Sequence, residues 1–185
     1  MTYCVGIKLD AGLVFLSDSR TNAGLDQISM FRKMIVYEKP GDRFMVMLSA
    51  GNLSISQQVR EILQVERLDN GDEPPITIWN ATSMFDAVRR VHDQDGPSLR
   101  KAGIDFNASM IFGGQIAGEA MRLFLVYSAG NFIEATRETC YFQVGESKYG
   151  KPVLDRMITP ATPLDEAAKC ALVSMDSTLK SNLSV

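Results

Sequence analysis

The stretch Met1-Thr2-Tyr3-Cys4-Val5-Gly6 opens the chain and predicts a β-strand with a reactive residue at its start. Removal of Met1 would leave Thr2 as the first residue, carrying a hydroxyl and a free α-amino group. Such an amine has a pKa of about 7.7–8.0, which suits a general base at neutral pH. A threonine hydroxyl activated by its own amine is an established kind of nucleophile. Many proteins begin with Met-Thr, so the rest of the chain must decide whether this dipeptide is chemically significant.

Length and composition predict one globular domain over residues 1–185. A chain of 185 residues buries roughly 70% of its unfolded surface. Its net charge of −3 argues against nucleic acid or an anionic membrane as partner. No apolar run approaches the ~20 residues of a membrane span, and the start does not resemble a signal peptide.

The cysteines and the histidine narrow the chemistry further. Cys4, Cys140 and Cys170 are scattered without a metal-binding spacing, which predicts reduced thiols in a cytoplasmic protein and no metal or other cofactor. His92 is the single histidine. It falls at the charged end of a predicted helix, which favours a solvated helix-end residue over a catalytic one.

Hydrophobic periodicity and turn residues predict strands, two helices, strands and two helices, in that order. The predicted strands cover 2–9, 13–17, 34–38, 43–48, 106–112, 122–127, 132–135 and 141–144. The predicted helices cover 53–67, 77–93 and 148–158, with a last one starting at Thr162-Pro163-Leu164-Asp165. This order fits an α+β fold of two packed antiparallel sheets flanked by helices, a four-layer αββα sandwich.

The helices also carry finer expectations. Asn52 is a capping residue for the first helix, and Asp95-Gly96-Pro97 is expected to break the second. Thr162 is expected to cap the last helix, with Pro163 at its first position. The buried stripes follow from helical spacing. For the second helix they are Ala81, Met84, Phe85, Val88 and Val91, and for the last Leu164, Ala168, Ala171, Leu172, Met175 and Leu179.

Polar residues at strand ends suggest a site around Thr2. Asp18 follows the second strand and Lys33 precedes the third. A lysine beside Thr2 would lower the pKa of its hydroxyl, and a carboxylate would hold that ammonium in place. Gly51, at a strand-to-helix turn, could offer its N–H to an oxyanion. The alternative is a structural ion pair between Asp18 and Arg20 with an exposed Lys33.

Several separate blocks of sequence carry a family resemblance, among them Ser17-Asp18-Ser19-Arg20, Phe31-Arg32-Lys33-Met34 and Ser174-Met175-Asp176-Ser177-Thr178. Through these blocks the chain resembles the proteasome β-type subunits, and within them the bacterial proteasome-like Anbu family. This resemblance implies an N-terminal-nucleophile hydrolase fold. It also implies a threonine peptidase that cuts peptides or unfolded proteins inside a ring or split-ring homo-oligomer.

The resemblance implies roles for individual residues. Thr2 would be the nucleophile, Lys33 would tune its hydroxyl, Asp18 would orient Lys33, and Gly51 would form the oxyanion hole. Ser147 and Asp176 would be a supporting pair around the terminal amine, with Asp176 partly buried. Ser147 could instead be only a helix cap. Arg20 would pair with a nearby carboxylate.

Three departures from the family pattern accompany the resemblance. Tyr3 replaces a second threonine, and Arg32-Lys33 lies one residue closer to the start than in proteasome β subunits. The family also continues beyond the position of Val185 with two more strands, so part of one sheet is expected to be missing.

Two other functions remain open at the level of sequence. One is an amidase of the same fold acting on small non-peptide amides, because fold does not determine function. The other is a catalytically silent scaffold subunit. No Walker motif occurs, so any dependence on ATP would come from a separate unfoldase partner.

Overall fold

A computed structural model describes residues 2–22, 28–65, 81–183 and 185. The strands are β1 (Tyr3–Leu9), β2 (Gly12–Ser17), β3 (Arg20–Asn22), β4 (Ile28–Met30), β5 (Met34–Lys39), β6 (Arg43–Gly51), β7 (Ala108–Ile116), β8 (Arg122–Val126), β9 (Phe132–Glu134) and β10 (Tyr141–Gly145). The helices are α1 (Leu53–Val65), α2 (Ala81–Lys101), α3 (Lys151–Met157) and α4 (Leu164–Ser181).

Two antiparallel sheets form the centre of the molecule. One has the strand order β10-β1-β2 and the other β5-β6-β7-β8-β9. Alternation along β1 shows how they pack, because Cys4 faces the second sheet whereas Tyr3, Val5 and Ile7 face α3 and α4. Helices α1 and α2 cover the outer face of the five-stranded sheet. The predicted four-layer αββα sandwich is therefore confirmed.

The predicted hairpins are confirmed with small changes of boundary. Strands β1 and β2 pair from Cys4 opposite Ser17 to Leu9 opposite Gly12. In the turn between β5 and β6, the N–H of Asp42 donates to the carbonyl of Lys39 (3.0 Å), and Gly41 has a φ of +77°. This is the geometry of a type II turn, which the Pro40-Gly41 pair predicted.

Helix α1 also matches its prediction where it is described. The side-chain oxygen of Asn52 accepts from the N–H of Ser54 (2.9 Å), as expected of a capping residue. Residues 66–80 lie outside the described part of the chain, and with them the predicted end of α1 and start of α2.

The predicted break at Asp95-Gly96-Pro97 is wrong, because helix α2 continues through Pro97 to Lys101. Pro97 is exposed, and because proline has no backbone N–H the helix lacks one hydrogen bond there. Leu99, two residues later, still packs on the core. His92 is consequently inside the helix, with its ring edge-on to Phe106, and the expectation of a helix-end histidine is wrong. Met84, Phe85, Val88 and Val91 are buried as predicted.

The N-cap of helix α4 lies one residue later than predicted. Pro163 is the N-cap, and the hydroxyl of Thr162 accepts instead from the N–H of Thr159 (2.9 Å). The predicted buried stripe is confirmed in part, because Ala171 is buried and Met175 and Leu179 pack against the core. It is also rotated, since Leu164 and Leu172 are exposed. The residues that face inward are Ala167, Cys170, Ala171, Ser174 and Thr178. Two of these inward-facing residues, Ser174 and Thr178, are polar, and their hydroxyls donate to the carbonyls of Gly150 and Ser174.

The partners of Ser174 also include the start of β1. The hydroxyl of Tyr3 donates to Ser174 Oγ (2.6 Å), and Ser174 Oγ donates to the carbonyl of Gly150 (2.7 Å). Burial raises the pKa of Tyr3 to about 12, so its phenol remains a proton donor. A side chain on Gly150 would collide with this network. The first strand is thus attached to α4 and to the residue before α3.

Three further differences concern strands and α3. Strands β3 and β4 were not predicted, and α3 starts at Lys151 and not at 148. Strand β7 runs through Gly113-Gly114, where a strand end was expected. The backbones of the adjacent strands approach both glycines too closely for a side chain, which explains why glycine occurs inside a strand.

Candidate active site

A closed ring of hydrogen bonds surrounds the start of β1. The N–H of Tyr3 donates to Asp18 Oδ1 (2.7 Å), and the ammonium of Lys33 donates to Asp18 Oδ2. The carbonyl of Lys33 accepts from the N–H of Ser49 (3.1 Å). The thiol of Cys4, next to Tyr3, donates to the carbonyl of Ser49 (3.6 Å) and closes the ring. Residues far apart in sequence are thereby fixed around the neighbours of Thr2.

Asp18 and Lys33 form a buried ion pair, with 7% and 5% of their surface exposed. The alternative of an exposed Lys33 is therefore wrong. Asp18 Oδ2 also accepts from the main-chain N–H of Arg20 (3.1 Å). The pairing of the Arg20 side chain with a carboxylate stays a prediction. A carboxylate with three donors offsets part of the cost of burying an ammonium.

Burial raises the pKa of the Cys4 thiol, and the negative charge of Asp18 adds to that effect. The thiol therefore stays protonated and serves as a donor to Ser49. It is part of the scaffold around the ion pair.

Gly51 ends β6 with a φ of +104°. A Cβ there would lie 2.9 Å from the carbonyl carbon of Asn107, so the position requires glycine. The N–H of Asn52 donates to Asn107 (2.7 Å) and that of Ser49 to Lys33. Since N–H groups alternate along a strand, that of Gly51 points away from β7, on the side of Lys33.

Thr2 precedes β1, and the turn after β10 holds it. Its carbonyl accepts from the N–H of Glu146 (2.7 Å). Gly145, with a φ of +88°, makes this turn possible. A Cβ on Gly145 would overlap the carbonyl of Thr2 and lie 3.3 Å from its Cβ.

Glu146 and Asn182 were missed by the sequence analysis. The carboxylate of Glu146 accepts from Asn182 Nδ2 (2.8 Å) and from the N–H of Lys148 (2.9 Å). The hydrogen bond from the N–H of Lys148 has the larger effect on the pKa of Glu146, and together with the bond from Asn182 it lowers that pKa. The end of α4 is therefore attached to the residue that holds Thr2. No local pattern marks this pair, because its members are 36 residues apart.

Ser147 and Asp176 differ in what the structure shows of them. Ser147 is exposed, and because Gly150 is the N-cap of α3, the helix-cap alternative for Ser147 is wrong. Asp176 is exposed on α4 and accepts from Lys180 (2.8 Å) one turn later. The expectation of a partly buried Asp176 is wrong, because the inward stripe of α4 is rotated away from it.

Within the described ranges, no three His, Cys, Asp or Glu side chains come together as a metal site. Among the helices of the same ranges, none is long and apolar enough to cross a membrane.

Comparisons with solved structures find close relatives. Anbu (ancestral β-subunit) from Yersinia bercovieri is 50% identical, with a TM-score of 0.89 over 99% of this chain and 77% of that one. The chain belongs to the Anbu family. A Gly-1 mutant of Anbu from Hyphomicrobium sp. strain MC1 is 47% identical, with a TM-score of 0.87 over 100% of this chain and 78% of that one. No family model and no curated protein matches.

A third Anbu structure concerns assembly. The helical assembly of the Anbu complex from Pseudomonas aeruginosa contains a chain 46% identical to this one, with a TM-score of 0.89 over 99% of this chain and 77% of that one. As a member of the Anbu family, the present chain has the proteasome type of N-terminal-nucleophile fold.

Proposed function

We propose that this Anbu chain is a threonine peptidase subunit that hydrolyses peptide bonds through an acyl-enzyme on Thr2 after removal of Met1. The closed ring of hydrogen bonds around Asp18 is the observation that carries the proposal. It brings one buried ammonium and the end of β6 to Tyr3 and Cys4, the two residues that follow Thr2.

In the proposed reaction, the α-amine of Thr2 takes the proton of its own Oγ, and Oγ attacks the peptide carbonyl. The N–H of Gly51 stabilises the oxyanion, and the ammonium formed at Thr2 gives its proton to the leaving amine. An ester between Thr2 and the acyl group remains. Water, deprotonated by the same amine, then hydrolyses that ester and restores Thr2.

Lys33 and Asp18 act on this chemistry through charge. The ammonium of Lys33 favours the deprotonated hydroxyl of Thr2, and Asp18 fixes the ammonium while holding the N–H of Tyr3. Ser147 and Asp176 are proposed as the supporting pair of the terminal amine. Ser147 follows Glu146, whose N–H donates to the carbonyl of Thr2, and this position supports its role. The carboxylate of Asp176 accepts from Lys180, and no contact connects it to Thr2 among the described residues.

The proposal extends to assembly and location. We expect a homo-oligomer in the cytoplasm, because the Pseudomonas aeruginosa relative forms a helical assembly and the three cysteines are free thiols. Peptides or unfolded proteins would be the substrates, and an unfoldase would be a separate protein.

The test compares Met1-free protein with its Thr2→Ala and Thr2→Ser variants on fluorogenic peptides and on small amides. Intact-mass analysis first establishes that Met1 is absent. We expect peptide hydrolysis by the parent and the serine variant and a loss of at least about 10²-fold for Thr2→Ala, which lacks the nucleophile.

Full activity of Thr2→Ala would refute the mechanism. Hydrolysis of small amides alone would identify an amidase. If Met1-free protein hydrolyses nothing and a threonine-directed electrophile does not label Thr2, the chain is a silent scaffold.

A further inference from the structure

Helix α4 presents one narrow face to the outside of the molecule. Ala167, Ala171 and Ser174 are buried on its inner side. With about 3.6 residues per turn, a second set of residues falls within an arc of about 100° on the opposite side. We call this set the outer stripe of α4, and it consists of Asp165, Lys169, Leu172, Val173, Asp176 and Lys180. It faces away from the three-stranded sheet on which the inner side packs.

The centre of the outer stripe is apolar and its ends are charged. Leu172 is 53% exposed and Val173 is 55% exposed. The charged side chains on either side of them are 59% to 75% exposed. An apolar centre within a polar rim is the arrangement found where proteins bind one another. The outer stripe therefore has the composition of a contact surface.

The charges of the outer stripe complement themselves when the helix is reversed. From Asp165 to Lys180 the signs run negative, positive, negative, positive, and the two apolar residues lie at the midpoint. A two-fold axis through that midpoint sets the helix against an antiparallel copy of itself. Asp165 then lies opposite Lys180 of the partner subunit. Lys169 then lies opposite Asp176 of the partner subunit, so every charge meets one of opposite sign.

Each charge of the outer stripe already has a partner one turn away. Lys169 donates to Asp165 (3.0 Å), and Lys180 donates to Asp176 (2.8 Å). Such exposed pairs contribute little by themselves. Against an antiparallel copy, each carboxylate would lie between an ammonium of its own helix and one of the partner subunit. The isolated pairs would thereby become a network of charges, the arrangement in which surface ion pairs contribute measurably.

The end of α4 leads away from the outer stripe. The N–H of Val185 donates to the carbonyl of Asn182 (3.3 Å), and the side chain of Val185 is fully buried. It lies among residues of β1, α3 and α4 on the inner side of these helices. The strands that the family pattern places after Val185 would extend the sheet, which lies beneath α4. They would therefore leave the outer stripe uncovered.

We propose that the outer stripe of α4 is a contact between two copies of this chain, packed antiparallel about a two-fold axis between Leu172 and Val173. The contact deepens the homo-oligomer of the proposed function, on which it rests, by naming the surface through which two copies meet. A parallel alignment would place charges of the same sign opposite each other, which is repulsive. Charge therefore determines the orientation of the pair as well as the choice of partner.

The experiment measures self-association of the full-length protein, including the residues after Val185, by sedimentation velocity. The acidic variant carries Lys169→Glu and Lys180→Glu, and the basic variant carries Asp165→Lys and Asp176→Lys. Both charges of one sign are reversed together, because the loss of one exposed charge changes little. Each variant alone would place like charges opposite each other, and we expect the Kd of self-association to rise at least about tenfold.

Mixing the two variants separates a contact from a loss of helix stability. In an equimolar mixture an acidic helix lies opposite a basic one, so the Kd should return to that of the parent. Leu172→Asp in both members of the mixture removes the apolar centre and should abolish this recovery. Thermal unfolding verifies that each variant is folded. The readout is mass and not activity, so it does not depend on the role of Asp176 at the terminal amine.

The control variant carries Arg89→Glu and Arg122→Glu. It changes the net charge by the same amount as the acidic variant, at exposed cations of α2 and β8 that pair with Asp86 and Glu134. Neither cation lies on α4, so we expect the Kd of the parent. An equal loss of association in the control and the acidic variant would overturn the contact, because net charge would then be the cause.

Failure of the mixture to associate more tightly than either variant alone would also overturn the contact. If the parent is nevertheless an oligomer, only this contact fails and the proposed homo-oligomer remains. A monomeric parent would overturn both. Hydrolysis of fluorogenic peptides by the Met1-free parent decides the chemistry at Thr2 independently of these masses.

Discussion

At the scale of single residues, the ion pair of Asp18 and Lys33 decides the properties of the candidate site. The two residues are 15 positions apart, and each is almost fully buried. Removal of one partner leaves the other charge uncompensated in a low-dielectric interior, which costs about 3–5 kcal/mol. Replacement of either partner alone should therefore destabilise the fold, in addition to any effect on the proposed chemistry.

Lys33→Met keeps an unbranched side chain, one heavy atom shorter, and removes its charge. We expect it to lower the free energy of unfolding by about 3–5 kcal/mol, because Asp18 is left unpaired, and to reduce kcat for peptides. Urea titration and steady-state kinetics measure the two effects.

Lys169→Met is the control for Lys33→Met, because Lys169 pairs with Asp165 at the surface (3.0 Å). We expect a change within about 0.5 kcal/mol and unaltered activity. Equal losses of stability in the two variants would contradict the interpretation of Lys33 as a buried, paired cation.

At the scale of elements, Thr2 is positioned by structures remote from it in the chain. The turn after β10 holds its carbonyl, and Asp18 at the end of β2 holds the next N–H. Tyr3 bonds to Ser174 on α4. A strand end is otherwise prone to fray, so these contacts keep the candidate nucleophile in one position.

Gly145→Ala tests the turn. The added Cβ overlaps the carbonyl of Thr2, so the first strand must move. Since a misplacement of about 1 Å costs roughly 10² in rate, we expect kcat/KM to fall at least that far. In urea titrations, the free energy of unfolding should also fall by more than the roughly 1–2 kcal/mol that alanine costs at a positive φ.

Gly41→Ala is the matched control for Gly145→Ala. Gly41 has a φ of +77°, close to the +88° of Gly145, but nothing lies within 4 Å of the site of its Cβ. We expect Gly41→Ala to lower the free energy of unfolding by only about 1–2 kcal/mol, which is the cost of a left-handed backbone conformation for alanine, and to leave the activity unchanged. Similar kinetics for both variants would show that the contact with Thr2 is unimportant.

At the scale of the whole molecule, burial in different layers governs the three cysteines. Cys4 lies between the two sheets, whereas Cys140 and Cys170 lie between the three-stranded sheet and helices α3 and α4. Burial raises the pKa of all three thiols. A raised pKa keeps a thiol protonated and hence unreactive toward thiolate-directed reagents.

We expect the folded protein at pH 8 to react slowly with Ellman's reagent and all three thiols to react at once after unfolding in guanidinium chloride. The absorbance of the released thiolate gives the number of thiols that have reacted, first in the folded protein and then after unfolding. Rapid labelling of one thiol in the folded state would show that its layer is open to solvent, and mass analysis after alkylation would identify it.

Apart from β3 and β4, the order of elements, the two predicted hairpins, the turn at Pro40-Gly41 and the cap at Asn52 followed from the sequence alone. Each depends on neighbours in the chain, such as the alternation of apolar residues or a glycine that allows a positive φ. Thr2, Asp18, Lys33 and Gly51 could be named for a similar reason, because each lies beside a strand end.

Tertiary structure decided what those local patterns could not. Helix α2 continues past Pro97 because Leu99 still packs on the core, and α4 turns polar residues inward because Tyr3 bonds to Ser174. The burial of Lys33, the pairing of Glu146 with Asn182 and the exposure of Asp176 likewise depend on contacts between distant residues. The sequence alone determined which groups are candidates for a site at Thr2, and packing of the two sheets and α4 decided which of them are fixed near the start of β1.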